Sequence, residues 1–534
     1  MIGVDFGTLS GRAVVVDVAT GEQLAESVFH YSHAVMDRQL PSGKTLGPDW
    51  ALQDPQDYLN VLLEAIPGAL AKAGVSKEDV IGIGTDFTSC TIVVTDKEGT
   101  PLCFDPKWQD NPHAWVKLWK HHAAQWEADK LTNIAQNRGE TFLTRYGGKI
   151  SSEWFWPKVW QVLNEAPDVF SAAGRFIEAA DWIVWQLTGK ESRSEATLGY
   201  KALWEKGVGF PSQSFFQALD SRLGRVTKEK VAGEFLPLGS RAGELTPLWA
   251  EKLGLIPGIA VAAGNIDAHV AVPATTVFSP GKLVMIMGTS ACHMLLAENK
   301  VEIPGICGVV QDGIIPGYWG YEAGQAAVGD IFAWFINNCV PEDYAKEARA
   351  QGLSRYELLA EKAQRLGFGH SGLLALDWWN GNRSILVDAD LSGCLFGLTL
   401  STKPEEIYRA LIEATAFGTK KIIDTFIKNN CQVHEVYACG GLPAKNPFLM
   451  QIYADVLGLP IKVVTSEQSS ALGAAMHGAV AAGTVAGGYD NIKEAAKAMG
   501  SQAELIYRPG DISRNYQRLY ELYKRMHDFF GQGE

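Results

Sequence analysis

Two short segments, about half the chain apart, carry the same local pattern and together require a duplicated architecture. The first runs Ile2-Gly-Val-Asp5-Phe-Gly7-Thr8-Leu-Ser10-Gly11-Arg12, the second Leu283-Val-Met-Ile-Met-Gly288-Thr289-Ser290. In each, an apolar run predicts a buried strand, and the Gly-Thr break predicts a tight turn that exposes backbone N–H groups and hydroxyls. Such donors bind oxyanions. Either segment alone is more often only a turn. The pair predicts a repeated hairpin unit and a nucleotide held between two halves. Asp5 stands two residues before the first turn glycine, where a Mg²⁺ ion on the phosphates would need an oxygen ligand. Met287 stands near that place in the second copy. The asymmetry predicts that the first half handles the metal and the transferred phosphate while the second holds the nucleotide.

A chain of 534 residues has room for two large domains. Val272 to Gly281, with Pro273 and Pro280, reads as the crossover, so the expected division is 1–272 and 273–534. The formal net charge of −13 disfavours a nucleic-acid partner, because such proteins carry basic stripes. It does not disfavour ATP, since turns and a metal supply positive potential locally. Eight scattered cysteines without a Cys-x-x-Cys pair read as reduced core thiols. The first residues already predict a strand and a turn, so no signal peptide is expected. No apolar run approaches the ~18 residues of a membrane span. The cytoplasm is the expected compartment, without a membrane partner, and a homodimer is left open.

Apolar runs predict strands at 2–6, 13–17, 80–86, 91–95, 258–264, 434–439 and 461–464, and helical spacing predicts helices at 54–73, 153–165, 324–338, 404–428, 446–457 and 468–482. The alternation predicts an α/β class. The stretch 511–530 places Tyr516, Leu519, Leu522, Tyr523, Met526 and Phe529 at helical spacing, as a closing helix would.

Asp267 follows the strand Gly258-Ile-Ala-Val-Ala-Ala-Gly264 directly. Strand carboxyl ends are where open α/β sheets build sites. A helix cap explains Asn265 or Asp267 equally well in isolation. Phosphoryl transfer to an alcohol needs one carboxylate at the hydroxyl and a cation on the phosphate oxygens, tasks that Asp267 and Asp5 divide naturally. Gly440-Gly441-Leu-Pro-Ala-Lys-Asn446-Pro447 ends a strand and opens a helix. Paired glycines there let backbone approach a flat ligand, although a helix-entry turn is the commoner reading. The polar groups of Asp86-Phe-Thr-Ser89-Cys-Thr91 suit a polyol, or a strand exit with satisfied hydroxyls. Glu322 either presents a carboxylate to sugar hydroxyls or lies at the surface. Lys201, among apolar residues, reads ordinarily as a snorkelling lysine. Trp154-Phe-Trp156 reads as packing near the site. His121 and His122 diverge on a helix and read as solvated, and Ser469 to Gly478 reads as a closely packing small-residue helix.

Together these residues resemble the carbohydrate kinases that include glycerol, xylulose and gluconate kinases. The resemblance spans the whole chain and includes Gly393-Cys-Leu-Phe-Gly397-Leu through Glu406-Ile-Tyr-Arg-Ala-Leu-Ile-Glu413, departing at Leu411. Pro157-Lys158-Val-Trp160 looks like the family's lysine–tryptophan stretch, with the tryptophan one place early. Four stretches, Thr85–Thr91, Lys107–Ala114, Leu118–Ala124 and Arg145–Glu153, resemble the bacterial members that phosphorylate L-ribulose.

The resemblance implies a two-lobed actin- and Hsp70-like (ribonuclease H-like) ATPase fold and an ATP- and Mg²⁺-dependent kinase acting on O5 of L-ribulose, in L-arabinose catabolism. It implies Asp267 as general base and Asp5 with Asp267 near Mg²⁺. It places Thr8, Ser10 and Arg12 near the γ-phosphate, and Gly288, Thr289, Gly440, Gly441 and Asn446 around ATP. Ser89, Lys201 and Glu322 would touch the sugar. By the same resemblance the histidine-rich segment would serve packing particular to these members. The rival class on this fold is an ATP-driven clamp or filament protein, against which the chain lacks a separate peptide-binding β domain.

Overall fold

The computed structural model describes residues 1–466 and 468–532. Two seven-stranded sheets repeat one plan. In the first, Ile2–Phe6 pairs antiparallel with Ser10–Val16 through the hairpin at Gly7, and Ser10–Val16 pairs onward with Gln23–His30. On the other side Ile2–Phe6 runs parallel to Gly82–Phe87, and Ala260–Ala262 runs parallel to that strand. In the second sheet Lys282–Met287 makes the hairpin with Ala291–Ala297, which pairs with Trp319–Gln325. Lys282–Met287 runs parallel to Glu435–Cys439, and that strand to Ile461–Val463. Each central strand is covered on both faces: Val4 and Phe6 are fully buried on one side while the helix Ser469–Ala482 closes on Gly3 at the other, and Leu283, Met285 and Met287 are fully buried on one side with Val284 on the other.

Helices span Phe155–Glu165, Pro404–Lys428, Pro447–Leu457 and Ser469–Ala482, close to the expected bounds. The helix expected from 324 begins only at Gly329, because Trp319–Gln325 is held as a strand between Ala291–Ala297 and Gly308–Gln311. Residues 267–274, partly assigned to the crossover, form a helix that contains Pro273. In the closing helix Ser513–Gln532, Tyr516, Tyr520 and Tyr523 are buried and Leu519 and Met526 pack partly buried against the same core, while Leu522 and Phe529 are exposed.

The two sheets are clamped by the helix Ser469–Ala482. It follows the strand Ile461–Val463 of the second sheet in sequence yet lies against Ile2–Phe6 and Gly82–Phe87 of the first. Glycines make the approach feasible: a Cβ at Gly3 or Gly84 would collide with the carbonyls of Ala471 and Ala474, and one at Gly473 with that of Val270. The small-residue reading of 469–478 therefore describes a close helix–sheet contact.

Candidate active site

A cleft of about 640 Å³ lies between the sheets and is lined by Thr8, Ser89, Lys201, Asp267, Thr289 and Glu322, among others. Six expected site residues, scattered from position 8 to 322, thus meet in one cavity. Both hairpin turns reach it. Gly7 N–H donates to the Ser10 carbonyl at 3.0 Å and Gly288 N–H to the Ser290 carbonyl at 2.9 Å, which closes each turn. Gly288 and Thr289 are exposed, and a Cβ at Gly288 would meet nothing. The Thr8 hydroxyl accepts from the Trp119 indole N–H at 3.1 Å, and Gln53 donates to the Thr8 carbonyl at 2.7 Å.

Asp267 is the first residue of the helix Asp267–Ala274, and its Oδ1 accepts the Ala268 N–H at 2.7 Å. It is therefore both a helix-entry residue and a cleft carboxylate, so the two sequence readings coexist. Burial first, then the nearby Asp5 charge, push its pKa up to about 7. A carboxylate so poised exchanges protons near neutrality.

Lys201 and Glu322 face each other from opposite sides of the cleft. Lys201 Nζ lies 2.6 Å from Glu322 Oε1, and His269 Nε2 lies 3.0 Å from Glu322 Oε2. Both members of the ion pair are less than a tenth exposed. This corrects two readings: Lys201 does not snorkel to solvent, and Glu322 is not a surface residue. Lys201 ends the helix Glu195–Lys201, which is anchored by Asp181 through the Ser194 N–H at 2.8 Å. Burial pushes the Asp181 carboxyl up to about 7 and that of neighbouring Glu178 up to about 8. Raised values mean that folding favours the protonated acids. Their contribution is fully present below the unfolded values near 4 and is lost as pH rises through about 7 to 8. Stability measured by urea melts should therefore fall between pH 5 and 8, and Asp181→Asn should flatten that slope; an unchanged slope would contradict the assignment.

Ser89 Oγ is buried and has no hydrogen-bond partner, although it lines the cleft. The alternative of a satisfied strand-exit hydroxyl therefore does not hold for Ser89, whereas Thr88 and Thr91 do satisfy each other at 2.9 Å. Trp154 lines the cleft and Trp156 donates to the Ala202 carbonyl at 2.6 Å, consistent with packing near the site. Lys158 had no role from sequence beyond the family stretch. Its buried ammonium donates to the carbonyls of Cys90 and Leu118, both at 2.7 Å, and so pins two segments of the cleft wall.

His121 is not solvated: it is fully buried, with Nε2 2.9 Å from Gln161 Oε1. His122 lines the cleft and stays partly exposed, as the sequence reading expects. The segment is irregular backbone between two turns, not a helix, so the two rings diverge for a different reason than expected.

Asp5 lies beside Arg12 at 3.2 Å and is the cross-strand partner of Asp86. In sequence Asp86 opens a segment that suits either a polyol or a strand exit. It is fully buried, and neither carboxylate oxygen has a hydrogen-bond donor. Burial and the adjacent Asp5 and Asp267 raise its pKa well above the usual carboxylate range. Three carboxylates against one guanidinium leave excess negative charge in a desolvated place, which fits a divalent cation. Among the described residues no three acidic, His or Cys side chains converge into a closed metal cage. Mg²⁺ requires none, because it keeps water and phosphate ligands alongside one or two carboxylates.

Gly440, Gly441 and Asn446 do not line the same cleft. Gly440 has φ +99° and its missing Cβ lets the Met287 carbonyl approach, so this turn abuts the second hairpin strand. Gly441 faces open space. Asn446 caps the helix Pro447–Leu457 by accepting the Leu449 N–H at 3.0 Å.

Residues 1–273 match the N-terminal domain model, and 283–482 the C-terminal domain model, of the FGGY family of carbohydrate kinases. The chain is 58% identical to a ribulokinase of Halalkalibacterium halodurans and 56% identical to a ribulokinase of Geobacillus thermodenitrificans, covering 100% of this chain and 95% of each relative. Among solved structures it resembles a ligand-bound xylulose kinase from Lactobacillus acidophilus, with TM-score 0.79 at 19% identity over 100% of this chain and 99% of that one. A xylulose kinase from Rhodospirillum rubrum superposes with TM-score 0.76 at 21% identity, covering 99% of each chain. The duplicated sheets are those of the two-lobed actin-like fold. Two Gly-Thr hairpins facing one carboxylate-bearing cleft, with residues 1–273 and 283–482 matched by the two domain models, make this chain a member of the FGGY family of carbohydrate kinases.

Proposed function

We propose that this enzyme transfers the γ-phosphoryl group of ATP to O5 of L-ribulose, giving L-ribulose 5-phosphate and ADP, as a cytoplasmic step of L-arabinose catabolism. The observation that carries the chemistry is the place of Asp267, which lines a cleft that both hairpins enter and whose pKa burial and Asp5 push up to about 7. The choice of sugar rests on the full-length identity to ribulokinases. The lobes 1–272 and 273–534 then bind mainly sugar and mainly nucleotide, respectively.

In this reading Ser89, Lys201 and Glu322 hold the sugar while Asp267 accepts the O5 proton. The O5–Pγ bond forms, the bond from Pγ to the bridging oxygen breaks, and ADP leaves with that electron pair. Thr8, Ser10 and Arg12 orient the γ-phosphate. Gly288, Thr289, Gly440, Gly441 and Asn446 surround the nucleotide. Asp5 and Asp267 would hold Mg²⁺, which supplies neutralisation of the phosphate oxygens. Closure of the lobes excludes water, so the sugar's binding energy limits wasteful hydrolysis. Subunit association into a homodimer is tested directly by light scattering on the purified protein.

Ser89→Ala should raise KM for the sugar about 2- to 10-fold with kcat nearly unchanged, the worth of one neutral hydrogen bond. An unchanged KM would remove Ser89 from the sugar contacts. Product analysis tests the reaction itself. Phosphorus–carbon coupling in the NMR spectrum of the purified product should appear at C5; coupling at C1 would overturn the proposed orientation in the cleft.

A further inference from the structure

A second charged pair crosses the cleft with the opposite polarity to Lys201–Glu322. Arg383 Nη2, from the second-sheet side, lies 3.4 Å from Glu153 Oε1, from the first-sheet side. Both side chains are less than a fifth exposed, and both line the cleft. Lys201 and Glu153 thus face across to Glu322 and Arg383, so each lobe contributes one cation and one anion. Such a crossed arrangement fixes register as well as separation, because sliding one lobe past the other brings like charges together.

The surroundings of Arg383 connect this pair to the phosphate side. Its guanidinium carbon lies 5.6 Å from the centroid of the Trp119 ring. The Trp119 indole N–H donates to the Thr8 hydroxyl in the first hairpin at 3.1 Å. Glu153 is also 3.6 Å from His122 Nε2, whose Nδ1 lies 3.4 Å from Ser152 Oγ. One residue of the second lobe therefore rests on two segments of the first lobe, at the sugar cavity and behind the phosphate turn. None of these atoms is bonded to Asp267, Lys201 or Glu322.

We propose that Arg383 is a positioning residue that, paired with Glu153 and held over the Trp119 ring by a cation–π contact, locks the closed register of the lobes and so couples sugar occupancy to placement of the Thr8 hairpin. The proposal rests on the kinase reading above, in which lobes must open to admit sugar and close before transfer. Opening separates Arg383 from Glu153 and Trp119 together, and closing restores both contacts.

The test uses the full-length enzyme and compares wild type with Arg383→Gln, Arg383→Lys, Glu153→Gln and the Arg383→Gln/Glu153→Gln double variant. Arg383→Gln should lower kcat/KM for L-ribulose about 10- to 100-fold, the scale of loss from misplaced reacting groups. Small-angle scattering should show wild type contracting on addition of sugar and Mg²⁺·ADP, and Arg383→Gln contracting less. The double variant should be no worse than Arg383→Gln alone, since removing either partner already breaks the unit. Arg383→Lys keeps the charge but loses the planar guanidinium fork, and should recover only part of the rate.

Full contraction in Arg383→Gln together with weakened sugar binding in the absence of nucleotide would make Arg383 a sugar ligand and overturn the positioning role. Strictly additive losses in the double variant would overturn the pairing. A variant that fails to fold is replaced by Glu153→Gln, scored by the same contraction. If wild type prefers a different ketose, the L-ribulose reading fails, and the lock is scored with the preferred sugar.

Discussion

Asp267→Asn is expected to reduce kcat by about 10²–10⁴-fold while leaving the affinity for ATP nearly unchanged, because a positioned general base contributes on that scale. The substitution is nearly isosteric and can still accept the Ala268 N–H that orients the wild-type side chain. It removes the capacity to take the sugar hydroxyl's proton and one of the two carboxylate charges offered to Mg²⁺, whereas the contacts proposed for the nucleotide itself lie on other residues. Equilibrium binding of a fluorescent ATP analogue and coupled turnover, measured on the same preparation, separate the two effects. Near-normal turnover would remove Asp267 from the base role.

The second large effect is expected at Glu322. Glu322→Ala leaves the Lys201 ammonium buried without its counter-charge and strips His269 of its partner. Breaking a buried pair from one side costs about 3–5 kcal/mol. Urea denaturation should show a loss on that scale, and KM for the sugar should rise at least about 100-fold. The pair also has a definite pH signature. Lys201 and the His269 contact hold the Glu322 carboxyl well below the usual range, while Glu322 raises the Lys201 ammonium despite its burial. A lowered acid contributes stability above its unfolded value near 4.3 and loses it as pH falls; a raised lysine contributes below its unfolded value near 10.4 and loses it as pH rises. The pair should therefore support the fold across the whole neutral range. Unaltered stability in Glu322→Ala would contradict the geometry.

Particular residues explain what was legible beforehand. The hairpins were readable because a strand buried on both faces must be nearly all apolar, and the glycine that ends it leaves a local signature. Asp267 was readable for a similar reason: a carboxylate directly after such a strand is conspicuous. The Lys201–Glu322 pair was not, since its members lie 121 residues apart and each sits in a locally apolar context that admits a bland reading. Lys158 and Arg383 were hidden for the same reason. Their partners are backbone carbonyls and a glutamate contributed by distant segments, and no spacing rule encodes such meetings.

Asp86 illustrates a different limit. Its neighbours in sequence suggest a strand exit, and only the parallel register that sets it opposite Asp5 reveals a carboxylate pair. The histidines failed through secondary structure: 121–122 lie in irregular backbone between two turns, with His121 held against Gln161, so helical geometry was the wrong guide. In the closing helix, amphipathic spacing located the docked face within one position. Tyr516, Leu519, Tyr523 and Met526 lie on it, whereas Leu522 is exposed and Tyr520 joins the face instead, with Phe417 as an aromatic partner at 5.9 Å.

The most direct test of the account is ADP release at fixed Mg²⁺·ATP, compared without sugar and with L-ribulose, D-ribulose, D-xylulose, ribitol and glycerol. A low sugar-free rate with strong, preferential stimulation by L-ribulose is the predicted result. ADP release that is indifferent to every sugar would contradict it.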